Sequence, residues 1–201
     1  MASQSAYAAK VPLSAARARS GPVARLCRRL QITRHRLDWN ADAPPRRERL
    51  AALALGALAT LAVLFTPGDY GLSWDEAYYY QPSIDAAGWI ASALTLEPGW
   101  AGAEGVNRGF GRVWELPAVV KLANGLAWAL AAPWVGELRA MRLPSAFAFG
   151  AAVALVYLLG WMAWGRVGAL AAALAFATMP RVFGHAHLAA SETMTTATFL
   201  F

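Results

Sequence analysis

The uninterrupted apolar stretch LPSAFAFGAAVALVYLLGWMAWG, Leu143–Gly165, is the clearest structural signal in the chain. It runs for 23 residues without a charged side chain. A helix that crosses the hydrocarbon core of a bilayer needs about 20 mainly apolar residues. The stretch therefore predicts a membrane-spanning helix, and with it an all-α, polytopic membrane fold.

A second apolar run follows immediately. Arg166 and Gly168 predict a tight turn, and the Ala-rich segment Val167–Pro180 is suited to close packing against a neighbouring helix. The chain ends in TATFLF, which is typical of the start of another span. We therefore expect residues 143–201 to form transmembrane helices, in the amino-terminal part of a longer protein that could be inactive as this fragment.

The earlier stretch Leu50–Gly68 contains 19 uncharged residues between Arg49 and Asp69. As a helix it covers roughly 28 Å, close to the thickness of the hydrocarbon core. Pro67 and Gly68 are expected to end the helix. Residues 50–68 are thus the predicted first transmembrane helix.

Charge is distributed unevenly along the chain. Eleven of the 18 Lys and Arg residues precede residue 50, whereas eight of the 12 acids lie between Asp69 and Glu137. The basic leader, residues 1–49, could be a nucleic-acid-binding arm, a cleavable targeting peptide or a cytoplasmic tail. We favour the tail, which obeys the positive-inside rule, and expect no nucleic-acid partner. The predicted location is the plasma (bacterial inner) membrane, multi-pass, with a cytoplasmic amino terminus.

Residues 69–142 are then predicted to form a long loop on the periplasmic or extracellular side. The loop is too long for a passive connector, so we expect it to contain interfacial, juxtamembrane helices. One is predicted at Asp75–Ile90, interrupted near Pro82, while the glycines of Gly99–Gly111 predict a flexible segment.

The segment Val113–Trp134 leaves two topologies open. If it crosses the membrane, Glu192 lies on the opposite side from Asp75. If it lies in the interface as an amphipathic helix, both acids share the outer face. We favour the interfacial helix, partly on the resemblance described below.

Acidic residues are the main candidates for chemistry. Asp75 and Glu76 directly follow the first span, and in the favoured topology Glu115 and Glu192 lie on the same face. Adjacent helix positions point about 100° apart, so Asp75 and Glu76 cannot both face one substrate. One would be the chemical carboxylate, and the other would contact a metal, a cation or the helix amino terminus. Ordinary loop charges are the alternative.

Basic residues suggest contacts to an anionic headgroup such as a lipid-linked phosphate. Lys121, Arg139, Arg142 and Arg181 could bind it, although snorkelling to the membrane surface explains each equally well. His185 and His187 form only a weak zinc pattern without a well-spaced third ligand. Hydrogen bonding or phosphate contact is the better prediction for both, and no cofactor is certain, with a divalent metal left open.

Four short motifs in this order resemble the GT-C membrane glycosyltransferases, in the group of the protein O-mannosyltransferases and the lipid A aminoarabinose transferase. They are WDEAYYY after the first span, WELPAVVKL in the loop, MRLPSAFAFGAAVALVYLLG at the next span, and MPRVFGHAHLAASETM after it. The resemblance covers about residues 50–201. Leu116 and Ala118 depart from the family, which often has His or Lys at the first position and commonly a second Pro at the other.

The resemblance implies transfer of a sugar from a polyprenyl-phosphate donor to an acceptor protein or glycolipid on the outer face. Asp75 would match the catalytic loop acid, with Glu76 its partner. Glu115 and Lys121 would lie near the donor phosphate, and Glu192 would match the second-loop acid. Arg181, His185 and His187 join these as donor- or acceptor-binding candidates. The alternative is a non-enzymatic membrane protein, such as a transporter fragment or structural subunit.

Overall fold

The computed structural model describes residues 43–66 and 71–201, and within these ranges every regular element is a helix. The all-α fold class is confirmed. The helices are α1 Arg46–Phe65, α2 Trp74–Leu94, α3 Ala103–Phe110, α4 Ala118–Val135, α5 Glu137–Thr178, α6 Pro180–Ala186 and α7 Ser191–Leu200. Three of them, α1, α4 and α5, are long and apolar enough to cross a membrane.

Helices α1 and α5 form the core of the molecule. Their backbones approach closely because two glycines meet: a Cβ on Gly56 would lie 2.6 Å from the Gly150 carbonyl oxygen. The Thr60 hydroxyl donates to the Ala146 carbonyl at 3.3 Å, next to this crossing. Small residues at a helix crossing allow the close packing that stabilises helix pairs in a bilayer.

Helix α5 is a hairpin. Gly165 has φ 72° and ψ −172°, outside the helical region, and the chain reverses there. The two arms run antiparallel and touch, since a Cβ on Gly160 would lie 2.9 Å from the Ala169 Cα. Farther along, Phe149 stacks on Phe176 with ring centroids 6.3 Å apart. The turn expected at Arg166–Gly168 therefore falls at Gly165.

The bundle has two ends, each marked by a polar contact. At the Glu48 end, the Tyr157 hydroxyl of α5 donates to the buried Glu48 carboxylate of α1 at 2.6 Å. At the opposite Glu76 end, Arg142 of α5 binds Glu76 of α2, and His187 meets Thr66 at the end of α1. Helix α1 begins at Arg46, before the expected Leu50. Its predicted end at Pro67–Gly68, and most of the 1–49 tail, lie outside the described residues.

Two expectations about the loop between α1 and α5 were wrong. Helix α2 continues past Pro82, whose ring is fully buried, because a proline removes only one backbone donor and tertiary packing can compensate. The glycine-rich segment contains helix α3, because its glycines allow contact: a Cβ on Gly109 would lie 2.6 Å from the Trp89 Cβ.

Both ends of α4 lie near the Glu76 end. Val120, in its first turn, packs with Tyr79 and Ala190. Val135, its last residue, lines a cavity of about 280 Å³ together with Val63 and His187. The helix therefore does not run from one end of the α1–α5 pair to the other, although its length and composition would permit a span.

Candidate functional site

Tyr79 of α2 packs against Ala190, the residue directly before α7. We call Asp75, Tyr79, Ser191 and Glu192, which lie where α2 meets the start of α7, the acidic cluster. Tyr79 is 6% exposed. Burial raises the pKa of Tyr79, and the negative charges of Glu192 and Asp75 raise it further. Both carboxylates thus influence one phenol, while both remain exposed to solvent. One helical turn separates Asp75 from Tyr79, so they share a face of α2.

Beside the acidic cluster, α5, α6 and α7 enclose a cleft of about 170 Å³. Arg181, His185 and Glu192 supply its polar groups, and its apolar lining includes Phe176 and Val182. The His185 Nδ1 lies 4.0 Å from a Glu192 carboxylate oxygen. This nitrogen is buried and has no hydrogen-bond partner among the described residues. The cleft therefore combines a cationic group, an acid and an imidazole with an apolar floor.

Glu76 does not face this cleft, because it is 1% exposed and engaged on every side. Its carboxylate accepts two hydrogen bonds from Arg142, at 2.7 and 2.8 Å. It also accepts the backbone N–H groups of Ser73 at 3.0 Å and Ala189 at 2.9 Å. Burial alone would raise the pKa of Glu76, but these hydrogen bonds and the Arg142 charge hold it below its ordinary value. The predicted direct catalytic role of Glu76 is at odds with this burial, since a substrate cannot reach its oxygens.

His187 is also buried, with 0% exposure. Its Nδ1 lies 2.8 Å from the Phe183 carbonyl oxygen, and its Nε2 lies 2.7 Å from the Thr66 hydroxyl. The carbonyl can only accept, so Nδ1 carries a proton. These contacts connect the end of α1 to the segment after α6.

Lys121 is 1% exposed and lies near the start of α4, next to Val120, which packs with Tyr79. Its ammonium donates to the carbonyls of Phe110, Arg112 and Val113 at 3.1, 3.1 and 2.7 Å. An ammonium has three N–H donors, so all three are used. Lys121 therefore holds the segment before α4, and the predicted phosphate contact would require these bonds to break. Glu115 is exposed, and its charge acts on Lys121.

Sequence analysis missed two parts of this arrangement: the structural task of Glu76, and the place of Tyr79 and Ser191 beside the acids. Only the first had a recognisable sequence pattern. The order Ser73-Trp-Asp-Glu76 is a capping box, in which the Ser73 hydroxyl accepts the Glu76 N–H at 3.2 Å and the Glu76 carboxylate accepts the Ser73 N–H. That pattern predicts a structural task for Glu76. Tyr79 and Ser191 had no local signal, because only the tertiary fold brings them together.

Within residues 43–66 and 71–201, no group of three or more His, Cys, Asp or Glu side chains is placed to hold a metal ion. Comparisons of the chain with known protein families, with curated proteins and with solved structures found no match. The geometry of the site is thus the basis for a function.

Proposed function

We propose that this protein is a membrane glycosyltransferase that moves a sugar from a polyprenyl-phosphate donor to an acceptor at the outer face of a bacterial plasma membrane. The main support is that Asp75 and Glu192, 117 positions apart in sequence, are brought to one region of the fold: Asp75 lies one turn before Tyr79 on α2, and Tyr79 packs against Ala190, two residues before Glu192. The adjoining cleft carries Arg181 and His185 over apolar residues. Such a cleft suits a ligand with an anionic head and a hydrocarbon tail.

The proposed topology follows from the two ends of the bundle. The Glu48 end faces the cytoplasm, since Arg46, Arg47 and Arg49 flank it and Arg166 lies at the α5 turn. The Glu76 end then faces outward. Helix α4, whose two ends lie near that outer end, rests in the interface, and its exposed Trp134 is suited to headgroup depth. Helix α1 and both arms of α5 cross the bilayer.

The chemistry proposed is a single displacement with inversion at the sugar. The Asp75 carboxylate accepts a proton from an acceptor hydroxyl or amine, whose oxygen or nitrogen attacks the anomeric carbon. The bond between that carbon and the phosphate oxygen breaks, and polyprenyl phosphate leaves with the electron pair. Arg181 stabilises the departing phosphate, and His185 donates a hydrogen bond to it. Phosphate is a good leaving group, so no covalent sugar–enzyme carboxylate is needed.

Glu76 and Arg142 have a positioning role in this proposal. Their ion pair connects α2 to α5, and the Ala189 N–H connects the same carboxylate to the segment that leads into α7. The distance between Asp75 and Glu192 therefore depends on this contact. Glu76 holds the two catalytic elements together without contacting the substrate.

The test is a transfer assay in membranes that contain the full protein, with polyprenyl-phosphate-linked sugars as donors. We expect Asp75→Asn to lower transfer by 10²-fold or more, the usual loss when a general base is removed. The matched control, Glu104→Gln on α3, removes an exposed carboxylate outside the site and is expected to leave transfer unchanged.

Wild-type transfer by Asp75→Asn, with normal membrane insertion, would refute the role of Asp75 as the base. Absence of transfer by the wild-type protein with every donor would refute the enzymatic proposal and favour a non-enzymatic membrane component. Topology gives an independent check, because cysteine labelling at positions 75 and 192 must occur from the same side of the membrane. Labelling from opposite sides rules out a shared site.

A further inference from the structure

A second cleft, of about 270 Å³, lies between α2 and α3 and opens to solvent. Asp85, which lines the cleft, follows Asp75 by ten residues on α2. At 1.5 Å per residue, the cleft therefore lies about 15 Å along that helix from the acidic cluster. None of the residues proposed for transfer lines it. The cleft is therefore a separate feature of the loop between α1 and α5.

Aromatic rings form the walls of the cleft and are held firmly. Trp89 meets Trp100 edge to face with ring centroids 5.4 Å apart, and its Nε1 donates to the Trp100 carbonyl at 3.0 Å. On its other side Trp89 meets Phe110 at 5.2 Å, also edge to face. Gly109 permits this packing, since its Cβ would lie 2.6 Å from the Trp89 Cβ. A tryptophan fixed in this way presents a rigid apolar surface at low entropic cost.

Polar groups of both charge signs line the same cleft: the Asp85 carboxylate, the Ser92 hydroxyl and the Arg108 guanidinium. Asp85 is paired with Arg112 at 2.7 Å and also accepts a hydrogen bond from Gln81 at 3.1 Å. A second acid, Glu97, accepts a hydrogen bond from the Ser92 hydroxyl at 2.5 Å. Two acids, Asp85 and Glu97, and two arginines, Arg108 and Arg112, therefore lie in or directly beside the cleft, and their charges balance. An aromatic cage for a quaternary ammonium would need an excess of negative charge, and a phosphate site an excess of positive charge. The cleft fits neither and suits a neutral ligand.

We propose that this cleft binds a neutral saccharide unit. A sugar ring has an apolar C–H face, which would lie on the indole of Trp89, and a rim of hydroxyls, which would exchange hydrogen bonds with Asp85, Ser92 and Arg108. Pockets for drug-sized ligands span about 300–1,000 Å³, so a volume just below that range suits a single ring. This binding does not depend on the transfer reaction and goes beyond it.

The test is saturation-transfer difference NMR of the full protein in nanodiscs with a panel of methyl glycosides of glucose, galactose, mannose and N-acetylglucosamine. Gly88→Leu is the blocking variant. Gly88 lines the cleft and is exposed, and a Cβ there meets no atom within 4 Å, so the larger side chain enters the cleft without straining the fold. Replacing a helical glycine also favours the helix. We expect at least one glycoside to bind the wild type and to lose binding at least tenfold in Gly88→Leu.

The matched control is Ala91→Leu, which adds the same side chain at an exposed position of α2 outside the cleft and should retain binding. Absence of signal from every glycoside with the wild type would overturn the proposal, as would equal signal from Gly88→Leu. Displacement of the glycoside by tetramethylammonium or inorganic phosphate at lower concentration would assign the cleft to an ion instead. Asp75→Asn is expected to bind the glycoside normally, so failure of the transferase proposal would leave this one standing.

Discussion

Removal of the Arg142 guanidinium should be among the most damaging single changes in the described part of the molecule. The Arg142→Met variant keeps most of the side-chain volume but leaves the Glu76 carboxylate buried without its cation. Arg142 also donates to the Gly71 carbonyl at 2.8 Å, so the residues just before α2 lose a contact as well. The ion pair has side-chain exposures of 4% and 1%, which means that water cannot replace the lost partner.

The expected loss can be estimated in two ways. Removing one partner of a buried ion pair costs about 3–5 kcal/mol. Hydrogen bonds to charged groups contribute about 1.5–3 kcal/mol each, and Glu76 loses two of them, which gives a similar total. A loss of this size lowers the ratio of folded to unfolded protein by roughly 100- to 4,000-fold.

The measurement is the free energy of unfolding in mixed micelles, obtained from a denaturant titration. Arg139→Met is the matched control, because Arg139 lies one turn earlier on α5 but is exposed. We expect it to change the free energy by about 0.5 kcal/mol or less, as is usual for surface positions. A local probe complements this: in a Cys27→Ser background, Ala189→Cys should be labelled slowly in the wild type and quickly in Arg142→Met, because Ala189 is 2% exposed.

Equal stability of Arg142→Met and Arg139→Met would refute the reasoning. So would a large loss of stability without faster labelling at position 189, because the Glu76 carboxylate accepts the Ala189 N–H and the loss of Arg142 should loosen that contact.

Three shorter predictions follow from other contacts. Lys121→Met removes one donor from each of three carbonyls. The Val113 carbonyl still accepts the Leu116 N–H at 3.1 Å, so the cost falls on the Phe110 and Arg112 carbonyls, at about 1–3 kcal/mol each when buried, and limited proteolysis between α3 and α4 should be faster. Gly150→Ala places a Cβ 2.5 Å from the Gly56 carbonyl oxygen and should cost about 1–3 kcal/mol in a denaturant titration, whereas Gly88→Ala, with no atom within 4 Å, should not destabilise the protein. Folding lowers the pKa of Glu76, so its contribution to the free energy of unfolding is complete above its ordinary pKa of 4.5 and is lost as the pH falls through the lower pKa of the folded protein. The free energy of unfolding, measured from pH 6 downward, should therefore decline less steeply in Glu76→Gln than in the wild type.

The fold was more readable from sequence than the site. Uncharged runs of bilayer length identified the helical fold class, because burial in hydrocarbon imposes both length and composition. The structural role of the glycines was the part of the fold predicted least well. Gly99–Gly111 has the composition of a flexible loop, yet Gly105 and Gly109 are buried residues that let α3 approach Trp89 and Trp100. Composition alone cannot distinguish a glycine that gives flexibility from one that permits contact.

For the candidate site, sequence identified the acids but not their tasks. The prediction that Asp75 and Glu76 cannot face one substrate agrees with the geometry, since one is exposed and the other is buried. Which of the two acids is buried depends on the ion-pair partner of Glu76, Arg142, which lies 66 residues farther along the chain. Lys121 shows the same limit, because three backbone carbonyls that saturate a cation leave no trace in a sequence pattern.

Asp75 and Glu76 therefore have different tasks because of their positions on the helix. Two neighbouring carboxylates about 100° apart on α2 point to different environments, one to solvent beside Tyr79 and one to a buried guanidinium. The exposed acid can exchange protons with a ligand, while the buried acid keeps its charge and fixes the helix that carries its neighbour. Asp75→Asn should consequently lower transfer by 10²-fold or more at unchanged stability, and Glu76→Gln should reduce both. If the two substitutions instead had the same effect on stability, the two carboxylates would share one structural task, and the acidic cluster would have no reason to be a reaction site.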